Sequence, residues 1–322
     1  MGHCESVVRP EWVSDDLFPF ESRFFTTPSG QRMHFVDEGS GDPIVFVHGN
    51  PSWAFEFRHL IKALRSDARC IAPDHIGFGL SSWSSSSEDH HPQTHARNLA
   101  ALLNHLELRD ITLYMSDWGG PIGLDFTRQH PQRVRRIVIS NTWCWPVGRD
   151  LHFRSFSFFM SSPLGQYLIK RRNFFVNRLM PMAVGDRSVL TPEVMEHYRN
   201  AQADPEKRCA SAALPGHIVG ARGWLDSIWK EHARFANKPV LILWGCRDMA
   251  FRRRDLDRWM SAMWDYECRE FKRCGHFLAE EAPDEVGSAL RAFLRRNQFP
   301  RRYLDAAARS ARPSGAPPPS SD

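Results

Sequence analysis

The chain has 322 residues, of which 42% are hydrophobic, so it is long enough to bury a substantial core in one large domain or two ordinary ones. Its 42 basic and 37 acidic residues nearly balance. Part of the excess of basic residues lies in the terminal stretch RRNQFPRR, and this location favours a solvated helix over a nucleic-acid site. No run approaches the roughly 20 apolar residues that span a bilayer. Seven scattered cysteines without a C-x-x-C pair indicate reduced thiols. We therefore expect a cytoplasmic protein with neither a nucleic-acid nor a membrane partner.

Strand-like runs alternate with helical ones along most of the chain. Runs rich in β-branched and aromatic residues predict strands over 32–39, 43–49, 68–74, 111–117, 134–141, 239–245 and 267–274. Helical patterns lie between several of them, at 94–108, 121–130 and 283–297. Such alternation is typical of an α/β protein with a mostly parallel, doubly wound sheet that helices cover on both faces.

The alternation breaks once, over an aromatic-rich and helical stretch that includes FRSFSFFM and GWLDSIW. An insertion of that length between two strands predicts a helical lid. The tail, which contains RPSGAPPPSSD, is too polar and Pro-rich to pack and is predicted to be disordered. The predicted organisation is a first core part over 1–147, a helical cap over 148–235, a second core part over 236–300 and a tail over 301–322.

The stretch LYMSDWGGPIG has the form of a strand, a sharp turn and a helix that together present a nucleophile. A serine nucleophile at such a turn has small residues two positions before and after it. Ser116 would instead be flanked by Tyr114 and Trp118, which are far too large. Asp117 fits the turn better, because Gly119 lies two residues after it. The pattern therefore predicts a carboxylate nucleophile.

Other polar motifs follow strands, where ligands of open α/β sheets bind. They are HGNPSW with Asn50, GCRDMAF with Asp248, and CGHFLAEEAP with His276. Each acidic or basic residue also has an ordinary interpretation: Asp117 as a helix N-cap, Asp248 as a turn residue, and His276 as a loop histidine. Their conjunction at strand ends, in the chain order nucleophile, acid and histidine, matches the α/β-hydrolase fold.

With these motifs, residues from about 20 to 297 resemble a haloalkane dehalogenase of the α/β-hydrolase superfamily. That family carries an asparagine in HGNP and a tryptophan directly after the nucleophilic aspartate, as at Asn50 and Trp118. In some branches of the family, the acid of the catalytic triad of nucleophile, acid and histidine follows an earlier strand. At that position this chain has Asn141, which cannot ionise. The resemblance therefore implies that Asp248 is the acid. Asp255 and Asp257, in the following helix, are expected to be solvated or ion-paired at the surface.

The resemblance also implies the roles of these residues. Asp117, ionised at neutral pH, would displace a halide and become an alkyl ester without the help of a base. His276, oriented by Asp248, would activate the water that hydrolyses the ester. The backbone N–H groups of Asn50 and Trp118 would form the oxyanion hole, and their side chains would bind the halide. The expected partners are a small halogenated alkane and water, with no metal or other cofactor, and an oligomer stays possible.

The closest alternative is an epoxide hydrolase, which also uses an aspartate nucleophile and a histidine base. That chemistry needs a pair of cap tyrosines, for which this chain offers Tyr167 and Tyr198, but Asn50 stands where epoxide enzymes carry an aromatic residue. A luciferase on the same scaffold and a non-catalytic ligand receptor are further alternatives. The sequence leaves open which aromatic residues line the apolar pocket; the candidates are Trp143, Trp145, Phe156, Phe158, Phe159, Trp224 and Trp229.

Overall fold

A central sheet of eight strands organises the computed structural model, which describes residues 9–148 and 150–297. The strands are β1 (Arg23–Thr26), β2 (Arg32–Glu38), β3 (Pro43–Val47), β4 (Arg69–Pro73), β5 (Ile111–Asp117), β6 (Val134–Thr142), β7 (Val240–Gly245) and β8 (Tyr266–Phe271). Their order in the sheet is β1-β2-β4-β3-β5-β6-β7-β8. The pairs β1–β2 and β2–β4 are antiparallel, and every other pair is parallel. The predicted mostly parallel sheet is confirmed.

Each of the predicted strands overlaps an observed one, and the sequence missed only β1 among the strands described here. This strand is a four-residue edge segment, RFFT, whose end residues are exposed and whose middle residues are half-buried. A run this short with no buried face lacks the apolar pattern by which strands are recognised. Its pairing with β2 is what makes it a strand.

Helices cover both faces of the sheet, and along the chain most of them follow β6. They are α1 (Arg58–Leu64), α2 (Pro92–His105), α3 (Gly119–Gln129), α4 (Leu151–Ser161), α5 (Pro163–Arg172), α6 (Met180–Ala183), α7 (Pro192–Ala201), α8 (Cys209–Gly220), α9 (Arg222–Lys230), α10 (Ala233–Ala236), α11 (Arg253–Ala262), α12 (Leu278–Glu281) and α13 (Pro283–Arg296). None of the helices in the described ranges is long and apolar enough to cross a membrane.

The helices α4 to α10 form one insertion between β6 and β7, which we call the helical insertion, residues 151–236. It falls where the sequence lost its β-α alternation, and it follows the strand after the nucleophile turn, as expected for the fold. A single π-helical turn, Phe175–Leu179, interrupts it before α6. The tail predicted to be disordered, 301–322, lies outside the described residues.

The hydrophobic core divides into two main clusters, one on each face of the sheet. Strand β3 shows the division, because Val45 and Val47 belong to one cluster while Ile44 and Phe46 belong to the other. Alternate residues of a strand point to opposite faces, so a fully buried strand supplies both clusters. The same packing holds the carboxyl ends of β3, β5 and β7 in fixed relation, and the polar motifs of the sequence follow those ends.

Candidate active site

The nucleophile turn is built from close backbone approaches. Asp117 ends β5 with a positive φ of 48°, a conformation that non-glycine residues rarely adopt. A Cβ atom at Gly119 would lie 2.0 Å from the carbonyl oxygen of Val47, and one at Gly120 would lie 1.9 Å from Thr142 Oγ1. Glycine is therefore required at both positions. The turn presents the Asp117 side chain at the carboxyl edge of the sheet.

Three residues that the sequence placed at separate strand ends come together here. The Nδ1 atom of His276 lies 2.7 Å from Asp248 Oδ2, and its Nε2 atom lies 3.9 Å from Asp117 Oδ2. A carboxylate only accepts hydrogen bonds, so Nδ1 carries a proton and donates a hydrogen bond to Asp248. The imidazole thus bridges two carboxylates, with Nε2 facing Asp117.

Asn141 gives Asp248 its second partner. The Nδ2 atom of Asn141 donates to Asp248 Oδ2 at 2.9 Å, and its Oδ1 accepts from the N–H of Gly245 at 2.7 Å. The other carboxylate oxygen, Oδ1, accepts from the N–H of Ala250 at 2.7 Å. Asn141 therefore occupies the position of the alternative acid and orients Asp248 instead. Sequence reasoning recorded only that Asn141 cannot ionise.

Two pKa values of the site are shifted upward, that of His276 by neighbouring charges and that of Asp117 by burial. Burial alone would lower the pKa of His276, but the charge and hydrogen bond of Asp248, with the charge of Asp117, raise it to about 9. Burial also raises the pKa of Asp117, although His276 and the N–H groups of Asn50 and Trp118 oppose this shift. The pair is therefore arranged to hold an imidazolium beside a carboxylate.

The N–H groups that were expected to form an oxyanion hole meet the Asp117 carboxylate. The N–H of Asn50 donates to Asp117 Oδ1 at 2.8 Å, and the N–H of Trp118 also bonds to this carboxylate. Gly49 allows the approach, because a Cβ there would lie 2.3 Å from Asp117 Oδ1. Two backbone N–H groups that donate to the same carboxylate are suited to stabilising negative charge that develops on its oxygens.

A largely apolar cavity of about 190 Å³ opens onto these groups. Asn50, Asp117, Trp118 and His276 are among the residues that line it. Most of its remaining wall is apolar and comes from both the core and the helical insertion: Trp143, Phe153, Phe156, Phe175, Leu179, Met180, Pro215, Ile218, Phe251 and Phe277. Such a cavity suits a small apolar molecule with one polar end.

The structure settles which of the candidate aromatic residues line the cavity. Trp143 and Phe156 do, whereas Trp145 packs against Trp229 and Trp259 away from it. The remaining candidates point elsewhere: Phe158 is 81% exposed, Phe159 is 43% exposed, and Trp224 donates to Asp125. A contiguous aromatic run in sequence is split here by helix geometry, because successive residues face different directions.

The two tyrosines required by an epoxide hydrolase do not reach the cavity. Tyr167 is 49% exposed at the surface of α5. Tyr198 is fully buried and donates its hydroxyl to Glu280, which also pairs with Arg58. Neither contacts the cavity, so the geometry disfavours ring-oxygen protonation at this site.

Sequence reasoning missed a second buried acid near the nucleophile. Glu56 is 2% exposed and accepts a hydrogen bond from Ser116 Oγ at 3.4 Å. Burial raises its pKa to about 7; a hydrogen bond from Ser52 and the charge of His276 oppose the shift. The only signal in the sequence is an acid within the apolar run WAFEF directly after HGNPS.

One of the two surface expectations for α11 is wrong. Asp257 is exposed and pairs with Arg253, as expected. Asp255, however, is only 4% exposed, and its carboxylate accepts from the N–H of Arg252, the residue before the helix, at 2.9 Å. The Asp255 carboxylate can be buried at the start of the helix, because it accepts from a backbone N–H that has no partner within the helix.

Comparisons with known proteins agree with this geometry. A family model described as "Alpha/beta hydrolase family" matches residues 44–289. Haloalkane dehalogenase 2 of Mycobacterium tuberculosis is 42% identical over 276 residues, which cover 85% of this chain and 95% of that protein. The crystal structure of haloalkane dehalogenase DatA from Agrobacterium tumefaciens has a TM-score of 0.76 at 26% identity and covers 86% of this chain and 97% of that one.

A second group of relatives carries a different name. A cis-3-alkyl-4-alkyloxetan-2-one decarboxylase from Shewanella oneidensis is 34% identical over 289 residues, which cover 87% of this chain and 90% of that protein. The fold and the nucleophile turn thus define an alpha/beta hydrolase. Within that class, the chain belongs to the haloalkane dehalogenase family.

Proposed function

We propose that this protein hydrolyses halogenated alkanes to an alcohol and a halide ion, and that Asp117 begins the reaction. The carboxylate attacks the carbon that bears the halogen, a carbon–oxygen bond forms, and the carbon–halogen bond breaks with its electron pair leaving on the halide. No proton is transferred in this step, so an ionised carboxylate needs no base. The observation that carries the proposal is the juxtaposition of Asp117, His276 and Asp248 at the end of an apolar cavity.

The second step hydrolyses the alkyl ester. His276 takes a proton from water through Nε2, and the resulting hydroxide attacks the carbonyl carbon of the Asp117 ester. Negative charge then develops on Asp117 Oδ1, to which the N–H of Asn50 already donates at 2.8 Å. Asp248 stabilises the imidazolium that forms. As the intermediate collapses, the imidazolium returns its proton to the departing alkoxide oxygen, the alcohol leaves, and Asp117 regains its carboxylate by releasing the remaining proton to water.

The halide is bound by two neutral donors beside the nucleophile. Trp118 supplies an indole N–H, which has no competing acceptor, and Asn50 supplies its side-chain amide. Neutral donors stabilise a monovalent anion in a largely dry site and still allow its release. We also propose that the helical insertion is the cap of this site, since it supplies the outer apolar wall of the cavity.

Single-turnover experiments on His276→Phe test the covalent step. With 1-bromobutane as substrate, this variant should release about one bromide per active site and then stop, leaving an alkyl adduct on the peptide that contains Asp117. Asp117→Ala should release no bromide. The measurements are bromide release by ion chromatography and mass spectrometry of the digested protein.

Water enriched in heavy oxygen gives an independent check of where water attacks. After one wild-type turnover, the label should be found in the Asp117 carboxylate. Label found only in the alcohol, or sustained turnover by His276→Phe, would show that water attacks the alkane directly and that Asp117 acts as a base.

Decarboxylation of a four-membered cyclic ester is a second candidate. It is favoured by the relatives named for that activity, of which one is 34% identical, and by the apolar cavity with N–H donors at one end. The test is to supply a cis-3,4-dialkyl oxetan-2-one and measure the alkene and carbon dioxide. Alkene production without any halide release from bromoalkanes would reverse the order of the two proposals.

A further inference from the structure

A serine of the helical insertion holds the Asn50 side chain from two sides. Ser211 lies on α8 and is fully buried. Its Oγ donates to Asn50 Oδ1 at 2.6 Å, and its backbone carbonyl accepts from Asn50 Nδ2 at 3.2 Å. The two residues are 161 positions apart in the chain. The contact therefore exists only when the insertion is packed against the core.

The orientation of this amide decides whether it attracts or repels an anion. An asparagine amide presents an oxygen and an NH₂ group of nearly the same size, and rotation by half a turn exchanges them. The NH₂ group carries two hydrogens, of which Ser211 accepts one. The other is free to donate to an anion in the cavity, which Asn50 lines. If the amide were rotated, Oδ1 would face the anion instead.

We propose that Ser211 is a positioning residue that orients the Asn50 amide with an N–H group toward the departing halide. The inference rests on the proposed function, because it assumes that Asn50 binds the halide. Ser211 is not among the residues that line the cavity, and it acts only through Asn50. Halide affinity consequently reports how the insertion is docked on the core.

The surroundings of Ser211 fix the direction of its own hydrogen bond. Gln202, which is 1% exposed, donates from Nε2 to the carbonyl oxygen of Pro51 at 3.1 Å, so its Oε1 faces Ser211 Oγ, also at 3.1 Å. A hydroxyl has one proton for two acceptors, and the shorter distance assigns it to Asn50. Asn173 and Arg208 both donate to the carbonyl oxygen of Gln202. Ser211 therefore sits in a buried polar network with little freedom to turn.

Bromide binding to Ser211→Ala tests the assignment without any turnover. Bromide is titrated against the fluorescence of Trp118, identified as the part of the signal that Trp118→Phe removes. Loss of the hydroxyl leaves Asn50 Oδ1 without its donor, and bromide should bind about tenfold more weakly, the value of one neutral hydrogen bond. Ser227→Ala is the matched control, because Ser227 donates to the backbone carbonyl of Trp224 within the same insertion. It should bind bromide as the wild type does.

The Asn50→Ala background separates positioning from a general loss of structure. If Ser211 acts through Asn50, adding Ser211→Ala to Asn50→Ala should weaken bromide binding no further. Equal bromide affinity of Ser211→Ala and wild type, or an undiminished effect in the Asn50→Ala background, overturns the inference. Weaker binding by Ser211→Ala in a protein that releases no halide from bromoalkanes would support the inference and overturn the proposed function. A wild type that binds no bromide would overturn both.

Discussion

At the scale of single residues, hydrogen bonds around Asp248 determine how His276 is held. Both His276 Nδ1 and Asn141 Nδ2 donate to the same oxygen, Asp248 Oδ2, at 2.7 and 2.9 Å. The N–H of Ala250 donates to the other oxygen, Oδ1, so both oxygens of Asp248 accept hydrogen bonds. Donors on both oxygens require a full carboxylate, because an amide presents an NH₂ group on one side. The arrangement fixes the imidazole with Nε2 toward Asp117.

The acid assignment is tested by Asp248→Asn. The new amide has one acceptor atom, where the carboxylate has two, and it cannot stabilise an imidazolium, so we expect a loss of kcat on the order of 10³ to 10⁴. Steady-state halide release measures it. Asp257→Asn is the control, since that residue is exposed, and it should retain wild-type kcat. Asp255→Asn is unsuitable as a control because Asp255 is buried and caps α11. Near-normal turnover of Asp248→Asn would require another acid.

The raised pKa of His276 predicts how ester hydrolysis depends on pH. The base must be neutral to take a proton from water, so the rate should rise with pH as His276 loses its proton. The free protein holds that proton up to a pKa of about 9, partly through the charge of Asp117. Esterification removes this charge, so the midpoint for ester decay should fall below 9. Rapid-quench measurement of ester decay between pH 6 and 9.5 tests this; a rate that is constant or falls with pH would contradict it.

At the scale of elements, the site depends on a point where the loop that carries His276 meets the segment at the end of α6. A Cβ at Gly275 would lie 2.0 Å from the carbonyl oxygen of Ala183, and the N–H of His276 donates to that same oxygen at 2.8 Å. Glu281 joins the loop and the segment further, because its carboxylate accepts from the N–H groups of Gly275 and Gly185. The histidine loop is thus located by α6 of the helical insertion as well as by the sheet.

Gly275→Ala should separate the loop from this segment. The added methyl meets backbone rather than a flexible side chain, so we expect a loss of about 1–3 kcal/mol in the free energy of unfolding. Displacement of His276 should slow ester hydrolysis more than halide displacement, which needs no base. Gly223→Ala is the control, because nothing lies within 4 Å of a Cβ there and the residue is in α9; it should stabilise by about 0.5 kcal/mol. Thermal unfolding and burst kinetics provide the two measurements, and wild-type values for both in Gly275→Ala would refute the argument.

At the scale of the whole molecule, a cluster of histidines joins the core to the helical insertion. Burial lowers the pKa of His75 and His95 well below the usual value, and it lowers the pKa of His217, on α8, to about 4. Neither ring nitrogen of His95 has a hydrogen-bond partner among the described residues. The rings of His48, His75, His95 and His90 contact one another in that order, and His91 contacts His217 as a separate pair. The charges of His91 and His217 also lower the pKa of His95, which couples the two groups.

This cluster predicts that the protein loses stability in acid. When folding lowers the pKa of a histidine, the unfolded chain binds a proton at a pH where the folded protein does not. The free energy of unfolding is therefore unaffected above the pKa of histidine in the unfolded chain, about 6.5, and falls as the pH drops below that value. The midpoint of thermal unfolding should therefore drop between pH 7 and pH 5. His95→Phe removes one titrating ring of similar size and should make the drop smaller. His105→Phe, on the same helix but outside the cluster, should not. Parallel curves for wild type and His95→Phe would exclude the cluster as the cause.

The features that the sequence determined by itself are local ones. Runs rich in β-branched and aromatic residues predicted the inner strands, and the small residues around Asp117 predicted the sharp turn, because both depend on residues a few positions apart. The motifs at strand ends predicted that Asp117, Asp248 and His276 would meet, since parallel strands share one carboxyl edge. The residues that the sequence proposed for the site therefore lie together around one cavity.

Packing between distant segments decided the rest. The cavity wall includes Trp143 and Phe156 but not Trp145 or Phe158. The face of α4 that meets the cavity is set by the elements packed against this helix, and the two tryptophans lie in the segment after β6, which has no regular period of its own. The same holds for Asn141, whose partner Asp248 is 107 positions away, and for Ser211, 161 positions from Asn50. Contacts at such separations leave no periodic trace in one sequence. They exist only because the helical insertion and the ends of the sheet close on each other in the folded chain.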